Sequence, residues 1–377
     1  MLQTGVSSAR SRDRDALAYN PNQRFTPVDF HCHGIGKFDF MKPHEIVLQK
    51  IQDDLEDSGS SAIVTLYVAR EELDHFEAFC ARFADGRRRG RFSRILGIAT
   101  EGPLFSSSGG TPKRARWRPS RAEWRRIANL GRDGLVYSVL SPDAALADDG
   151  ETDPARSLGW IVECLMDGGV MPALGHFSKD DPDHSAAKVR EILSCVGRLG
   201  RGPIVTDHLF NDMPLNFRHA WRTPAEFERR ATELADADLD GWSRDNLETK
   251  LGLVPAAIIH GAFDGLVKIC MNFDGAHVDL AVCARTVEVV GSEHLMLMTD
   301  RIQSAVLGGQ QLRPIHSNSL LYQEDGIVAG GTTSVWQEVG NLVSMGLSTR
   351  QITDIACMTA QGVLGVEARA TAPVLQA

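Results

Sequence analysis

Eight short apolar runs, each followed by a longer amphipathic stretch, constrain the fold of this chain more than any other feature. The runs span Pro27–His31, Ala62–Val68, Ile95–Thr100, Leu135–Leu140, Val170–Leu174, Ile204–His208, Val267–Phe273 and Leu295–Thr299. Runs of this length, alternating regularly with helical stretches, are typical of a parallel sheet built from βα units. Eight units without a nucleotide-binding glycine motif favour a (β/α)8 TIM barrel, and the alternative is an open, doubly wound sheet.

Three segments depart from this alternation. Residues 1–25 are polar and charged, which predicts a flexible N-terminal arm, and residues 26–377 are assigned to the barrel. Insertions at 106–119 and 212–250 directly follow predicted strands. Because the loops after the strands lie on the catalytic face of such a barrel, we expect both insertions to lie beside the functional site.

Composition excludes several classes of protein. The chain has 377 residues, 43% of them hydrophobic, and a formal net charge of −9, which argues against a disordered chain and against a general nucleic-acid binder. No apolar run approaches the roughly 20 residues that span a membrane. Seven cysteines without a Cys-x-x-Cys pair argue against a disulfide scaffold and favour a cytoplasmic location. The expected partner is therefore a small-molecule substrate, with no nucleic acid and no membrane.

Side chains able to bind metal or move protons follow almost every predicted strand. They are His31 and His33 after the first strand, Glu101 after the third, His176 after the fifth, Asp207 and His208 at the sixth, Asp274 and His277 after the seventh, and Asp300 after the eighth. The carboxyl ends of all strands surround one mouth of a barrel, so we expect these side chains to converge. Imidazole and carboxylate ligands suit zinc and iron, and the pattern therefore predicts a metal site.

Each of these residues has a structural alternative when it is considered alone. Histidines at strand ends are often only hydrogen-bonded, and Asp300 would also serve to cap a following helix or to pair with Arg301. His31 and His33 are stronger evidence, because residues two apart in a strand project from the same side. The convergence of the whole set, rather than any one member, favours a site.

The order of these motifs resembles the amidohydrolase superfamily and, within it, the N-acetylglucosamine-6-phosphate deacetylases. The resemblance covers roughly residues 28–366. Its motifs are His-x-His at 31–33, Glu-Gly-Pro at 101–103, Gly-His at 175–176, His-Leu-Phe-Asn at 208–211, Asp-Gly-x-His at 274–277 and Thr-Asp at 299–300. Members of this family usually carry a small β-sandwich built from both chain ends, which we expect to be reduced or missing here.

The resemblance implies a metal centre. Glu101, His176 and His208 correspond to the three ligands of the main metal, and His31 and His33 correspond to a second-metal pair. With Glu101 as a bridge, one or two divalent ions are implied, with zinc expected and iron as the alternative. A bound divalent ion lowers the pKa of its water to about 7, which supplies hydroxide for attack on an amide.

The resemblance also implies roles around that centre. Asp300 corresponds to the catalytic acid/base, and His277 to a residue that binds substrate and polarises the scissile carbonyl. Asn211 and Asp212 belong to a segment that lies near the substrate, and the family has alanine where this chain has Asp212. Since a carboxylate facing the site would repel a phosphate, this substitution argues against the usual phosphosugar substrate.

The sequence therefore predicts a metal-dependent amide hydrolase of the deacetylase type. Its expected substrate is an N-acylated amino sugar or a related polar metabolite. Two alternatives are an amidohydrolase acting on another carbon–nitrogen bond, such as a cyclic amide or an imine, and a catalytically inactive barrel used for binding. The resemblance also suggests a homodimer.

Overall fold

The computed structural model describes residues 25–107, 109–144, 158–217, 223–235, 237–314 and 318–365. The predicted N-terminal arm lies outside these residues except for Phe25. The sequence also predicts a helix at 155–167, and the first three residues of that range lie outside the described residues, as do short parts of both insertions.

Eight parallel strands form the central sheet. They are β1 (Val28–Cys32), β2 (Ser61–Leu66), β3 (Ile95–Thr100), β4 (Leu135–Leu140), β5 (Met171–Leu174), β6 (Ile204–His208), β7 (Val267–Met271) and β8 (Leu295–Leu297). Each strand pairs with the next one along the chain. This sequential order confirms the predicted barrel and excludes the doubly wound sheet, in which the strand order reverses.

The barrel is closed by contacts between β1 and the segment after β8. The Asp300 amide donates to the His31 carbonyl at 3.0 Å, and the His33 amide donates to the Arg301 carbonyl at 2.9 Å. The buried Asp29 carboxylate accepts from the amide and the hydroxyl of Thr299, at 3.0 and 2.6 Å. These contacts bring the first and last motifs of the sequence side by side.

Twelve α-helices accompany the strands in the described residues. They are α1 (Leu48–Ser58), α2 (Leu73–Arg88), α3 (Arg121–Asn129), α4 (Leu158–Asp167), α5 (Pro182–Leu199), α6 (Pro224–Ala235), α7 (Leu247–Leu251), α8 (Leu253–Phe263), α9 (Leu280–Val290), α10 (Val335–Ser344), α11 (Thr349–Thr353) and α12 (Thr359–Leu364). Side-chain caps define several starts, as in α3, where Ser120 and Glu123 form a reciprocal capping box. None of the helices in the described segments is both long and apolar enough to cross a membrane.

The core has two parts, which follow from the alternation of side chains along each strand. In β2, Ile63 packs in a cluster with Phe30, Val205 and Met296, whereas its neighbour Val64 packs in the large second cluster with helix residues. Side chains of successive strand residues point to opposite faces, so one set fills the barrel and the other seats the helices. The filled interior forms a floor beneath the polar strand ends.

Five short strands lie between β8 and α10. They are β9 (Val306–Leu307), β10 (Gln310–Gln311), β11 (Arg313–Pro314), β12 (Leu320–Tyr322) and β13 (Val328–Gly331), and their pairing is antiparallel. In the described part of the chain, strands outside the barrel are confined to this region, instead of forming a sandwich from both chain ends. The hairpin β12–β13 contacts the barrel directly, because the Gly331 amide donates to the Asp300 carbonyl at 2.9 Å.

The insertion predicted at 212–250 contains α6 and α7, with two short 3₁₀ turns between them. Arg230 of α6 is buried, and its Nη1 donates to the carbonyls of Gly275 and Ala276 at 2.7 and 3.2 Å. The insertion thus supports the loop that carries His277.

Candidate active site

All the site residues predicted from the sequence lie at the carboxyl ends of the strands, around one mouth of the barrel. His31, His33, Glu101, His176, His208, His277 and Asp300 are buried, and Asn211 and Asp212 are half-buried. Every member of this set except His31 and His33 lines one cavity. The two remaining histidines lie against Glu101, so the structure brings the whole set together.

His31, His33 and Glu101 form the first cluster of potential metal ligands, with Asp300 beside it. The Nε2 atoms of the two histidines are 2.8 Å apart and lie 3.0 and 2.7 Å from Glu101 Oε2. The other ring nitrogen of His33 is held by the backbone. His33 Nδ1 lies 3.1 Å from the Thr65 carbonyl, so Nδ1 carries the proton and donates it to that carbonyl. Nε2 then keeps a lone pair that can bind a metal ion.

His176, Asp207 and His208 form the second cluster. His176 Nε2 lies 3.0 Å from Glu101 Oε1 and 3.1 Å from Asp207 Oδ2, so Glu101 connects the two clusters through its two oxygens. His208 Nε2 lies 3.5 Å from the same Asp207 oxygen. This arrangement has the nitrogen and oxygen donors of a binuclear site with one shared carboxylate.

Asp300 lies at the edge of both clusters. Its Oδ1 is 3.3 Å from His33 Nε2, and its Oδ2 is 3.4 Å from His277 Nε2. Strands β9 to β11, rather than a helix, follow Asp300 in the described chain, so the helix-capping alternative is wrong. Arg301 instead lies 3.8 Å from Asp29, so its charge is directed to the barrel closure.

His277 is oriented by its own loop. Its Nδ1 lies 2.7 Å from Asp274 Oδ2, while Asp274 Oδ1 accepts from the amides of Ala276 and His277. Burial lowers the pKa of His277, but the Asp274 carboxylate outweighs it, and the pKa lies above the ordinary value. The Nε2 atom faces Asp300 and the cavity, where a proton on it can be donated to substrate.

The charges of the clusters fit a cation. Burial raises the pKa of Glu101, but His33 and His176 outweigh it and hold that carboxyl well below its usual range. Asp207 is also held low, since His208 and His31 outweigh its burial. Among the described residues, one buried ring nitrogen each of His176 and His208 lacks a hydrogen-bond partner, and so do buried carboxylate oxygens of Asp207 and Asp300. Ionised, unpartnered oxygens among imidazole nitrogens are what a divalent metal ion would satisfy.

Three residues at the site have left-handed backbone conformations. The φ angles are 56° for His176, 48° for Asp212 and 51° for Asp300. Such conformations cost about 1–3 kcal/mol each in residues other than glycine, and they persist only where the surrounding structure fixes them. Backbone conformations of this kind are enriched at functional sites, which favours this mouth of the barrel as the candidate site.

No protein-family model and no curated protein sequence matches the chain. Comparison with solved structures, in contrast, identifies its fold. N-acetyl-D-glucosamine-6-phosphate deacetylase from Mycobacterium smegmatis superposes with a TM-score of 0.64 at 20% identity, over 90% of this chain and 78% of that one. The chain has the deacetylase fold. The enzymes from Thermotoga maritima and Pasteurella multocida both give a TM-score of 0.63, at 17% and 15% identity, over 90% of this chain and 78% and 76% of theirs.

The resemblance read from the motifs is therefore confirmed at the level of the deacetylase fold. The roles implied for individual residues stay predictions, which the site geometry supports by placing those residues together. Asp212 is the member whose placement is most informative. It lines the cavity, as expected for a substrate contact, but its Oδ2 also lies 3.0 Å from His176 Nδ1.

Sequence reasoning grouped Asp207 with the polar residues at the strand ends but gave it no specific role. The resemblance had a signal for it, because the deacetylase motif has threonine before the histidine at this position, and this chain has Asp207 before His208. Strand alternation predicts that neighbouring residues face opposite sides. The pairing of β6 with β7 is irregular between Val205 and His208, which allows both side chains to approach His176.

The segment 113–126 carries seven lysine and arginine side chains, a pattern that fits either an anion site or a solvated surface. Two of them are in ion pairs, Arg114 with Glu71, and Arg126 with Glu77 and Asp74. These two side chains therefore belong to an ion-paired surface.

Proposed function

We propose that this chain is a metal-dependent hydrolase of carbon–nitrogen bonds, which removes the N-acyl group from an amino sugar or a related polar metabolite. The observation that carries the proposal is the placement of Asp300 between His33 and His277, at the edge of two donor clusters joined by Glu101. A buried carboxylate in this position can exchange protons with a substrate in the adjoining cavity.

Glu101, His176 and His208 would hold one divalent ion, and His31 and His33 would hold a second that shares Glu101. Such ions supply a nucleophile at neutral pH and polarise the scissile carbonyl. The chain contributes the fixed ligand positions, because the strand ends and the floor beneath them are rigid. Zinc suits the imidazole and carboxylate donors, and iron is the alternative.

Asp300 is the proposed proton carrier. Within the described residues its Oδ1 has no hydrogen-bond partner, so this oxygen is available to accept a proton from the attacking water. The new carbon–oxygen bond then forms, and Asp300 returns the proton to the nitrogen as the carbon–nitrogen bond breaks. The amine leaves neutral, and the carboxyl group regains its charge.

His277 is the proposed donor to the carbonyl oxygen. Asp274 fixes the ring from the Nδ1 side and raises the pKa, which burial alone would lower. A protonated Nε2 directed at the cavity stabilises negative charge that develops on the oxygen. Because Asp274 is held by two backbone amides, the donor is preorganised before substrate binds.

The cavity lining supports a polar substrate that lacks a phosphate. Lys179, half-exposed, is the only lysine or arginine among the described residues that line it. Its Nζ lies 3.8 Å from Asp212 Oδ1, so its charge is partly offset. Leu320, Ile327 and Val328 of the β12–β13 region add an apolar surface, which suits the face of a sugar ring or the methyl of an acetyl group.

A direct test is release of acetate or primary amine from a panel of N-acylated amino sugars, with and without a 6-phosphate, using protein reconstituted with zinc or iron. We expect turnover of at least one unphosphorylated compound. Metal-loaded, folded protein that releases no product from any amide of the panel would contradict the proposal and favour the binding-only alternative.

A further inference from the structure

Asp207 is a buried carboxylate that neither of the two ligand sets proposed above includes. It lies at the penultimate position of β6 and is 1% exposed. Its Oδ2 is 3.1 Å from His176 Nε2 and 3.5 Å from His208 Nε2, and its Oδ1 is 3.4 Å from His31 Nδ1. Three imidazoles, two at the ends of β1 and β6 and one just after β5, thus surround one carboxylate.

These short distances are not hydrogen bonds. In the described part of the chain, neither oxygen of Asp207 has a partner in hydrogen-bonding geometry, and neither has His176 Nε2. A carboxylate kept only to pair with histidines would be expected to align with their N–H groups, because an unaligned buried charge is costly. Donors that lie close together without pointing at one another are instead arranged as ligands around a common centre.

The neighbouring chain makes room for this carboxylate. At Gly175, the residue after β5, an added Cβ would lie 2.6 Å from the Asp207 Cβ, closer than real Cβ contacts allow. Any other residue at 175 would push Asp207 away from His176. The irregular pairing of β6 with β7 then lets the Asp207 carboxylate lie on the same side as His208, 3.5 Å from its Nε2.

We propose that Asp207 is a metal ligand, which binds through Oδ2 the ion held by Glu101, His176 and His208. The inference rests on the proposed function, because it assumes that this cluster holds metal. It gives that ion two imidazole and two carboxylate donors, a set that zinc and the harder divalent ions accept. The second oxygen, Oδ1, lies 3.4 Å from His31 Nδ1.

The test compares metal binding by wild-type protein and Asp207→Asn, which preserves the shape of the side chain and removes its charge. Both proteins are stripped with a chelator, reloaded with zinc, and measured by elemental analysis and by competition with a chromophoric chelator. We expect Asp207→Asn to bind the Glu101–His176–His208 ion more weakly by at least the 10–100-fold typical of losing a supporting contact. Equal metal content and affinity in the two proteins would overturn the inference and leave the proposed function standing.

Asp274→Asn is the matched control, since the Asp274 side chain is also buried beside a site histidine but belongs to neither metal cluster. It should retain wild-type zinc affinity, and an equal loss in both variants would overturn the assignment of Asp207. Wild-type protein that binds no metal would contradict the proposed function itself. If Asp207→Asn does not fold, a crystal structure of zinc-loaded wild type decides. An Asp207 oxygen at about 2.0–2.2 Å from the ion supports ligation, whereas one beyond about 3 Å excludes it.

Discussion

Asp212 Oδ2 lies 3.0 Å from His176 Nδ1, so the carboxylate that distinguishes this chain from the deacetylase motif binds a predicted metal ligand. The other oxygen, Oδ1, accepts from the Ser107 hydroxyl at 2.8 Å. A carboxylate on the distal nitrogen of a metal-ligating histidine fixes its tautomer and increases its basicity. Asp212 therefore acts on His176 as well as lining the cavity.

Replacing Asp212 with alanine should weaken metal binding without abolishing it. Loss of such a carboxylate partner typically costs 10–100-fold in metal affinity, and we expect a change of about that size. His176→Ala, which removes the ligand, should lose the ion outright. Chelator competition on both variants is the measurement. Full retention of metal by His176→Ala would remove the central claim of the site.

The number of ions is a separate prediction. His31 and His33 face the same oxygen of Glu101, so saturated wild-type protein should contain close to two ions per chain. The double substitution His31→Ala with His33→Ala should reduce this to about one, because the cluster around His176 remains. Elemental analysis of dialysed protein measures it, and a value near one in the wild type would exclude the second site.

Asp300→Asn should separate catalysis from folding. Asparagine tolerates the left-handed backbone found at this position, where φ is 51°, so the variant should fold. Without a proton carrier, kcat should fall by about 10²–10⁴-fold. The measurement is kcat on whichever amide is turned over, with a melting curve and metal analysis of the same protein. A variant that keeps most of its activity would disprove the acid/base role.

Glu338 of α10 should make stability depend on pH. It is fully buried, its Oε2 accepts from the Phe273 amide at 3.0 Å, and burial, together with Asp274, raises its pKa well above the ordinary value of 4.5. The folded state then holds a proton that the unfolded state releases. The free energy of unfolding should therefore decrease as pH rises above 4.5, by at most about 1.4 kcal/mol per pH unit.

Glu338→Gln should remove that decrease, since the amide oxygen can still accept from Phe273 and has no proton to lose. Denaturant unfolding between pH 5 and pH 9, roughly the range in which folded proteins can be compared, measures the difference. Glu288→Gln, at an exposed position on α9, is the control and should leave the pH dependence unchanged. Identical pH profiles for wild type and Glu338→Gln would contradict the prediction.

The barrel was predictable because its strands are continuous apolar runs bounded by turn residues. The bounds of β3, β4 and β6 agree with the sequence prediction, and the others differ by one or two residues at either end. The short strands β9 to β13 were not predicted, since two to four residues carry too little periodicity to distinguish a strand from a loop. The sequence also predicts one helix at 349–363, but the structure has a π-helical turn at Asp354–Met358 within it, which the spacing of the apolar residues does not reveal.

Asp207 shows a different limit of sequence reasoning. Its neighbour His208 was placed in the site by resemblance, and strand alternation then directs Asp207 to the opposite face. The irregular pairing of β6 cancels that rule, and irregular pairings have no reliable signature in a single sequence. The usable signal for Asp207 was the type of residue, an aspartate where the deacetylase motif has threonine, and not the alternation of side chains along the strand.

The hairpin β12–β13 is joined to Asp300 at the backbone. Gly331 exchanges hydrogen bonds with the segment that carries Asp300, and a Cβ at Gly330 would lie 2.6 Å from the Asp300 carbonyl. The same hairpin provides Leu320 and Val328 to the cavity wall. If Asp300 carries the proton as proposed, substrate selectivity and proton transfer depend on the same piece of backbone in this barrel. Replacing this hairpin with another one, in order to fit a different acyl group, would therefore displace Asp300. Keeping Gly330 and Gly331 in the new hairpin should avoid this.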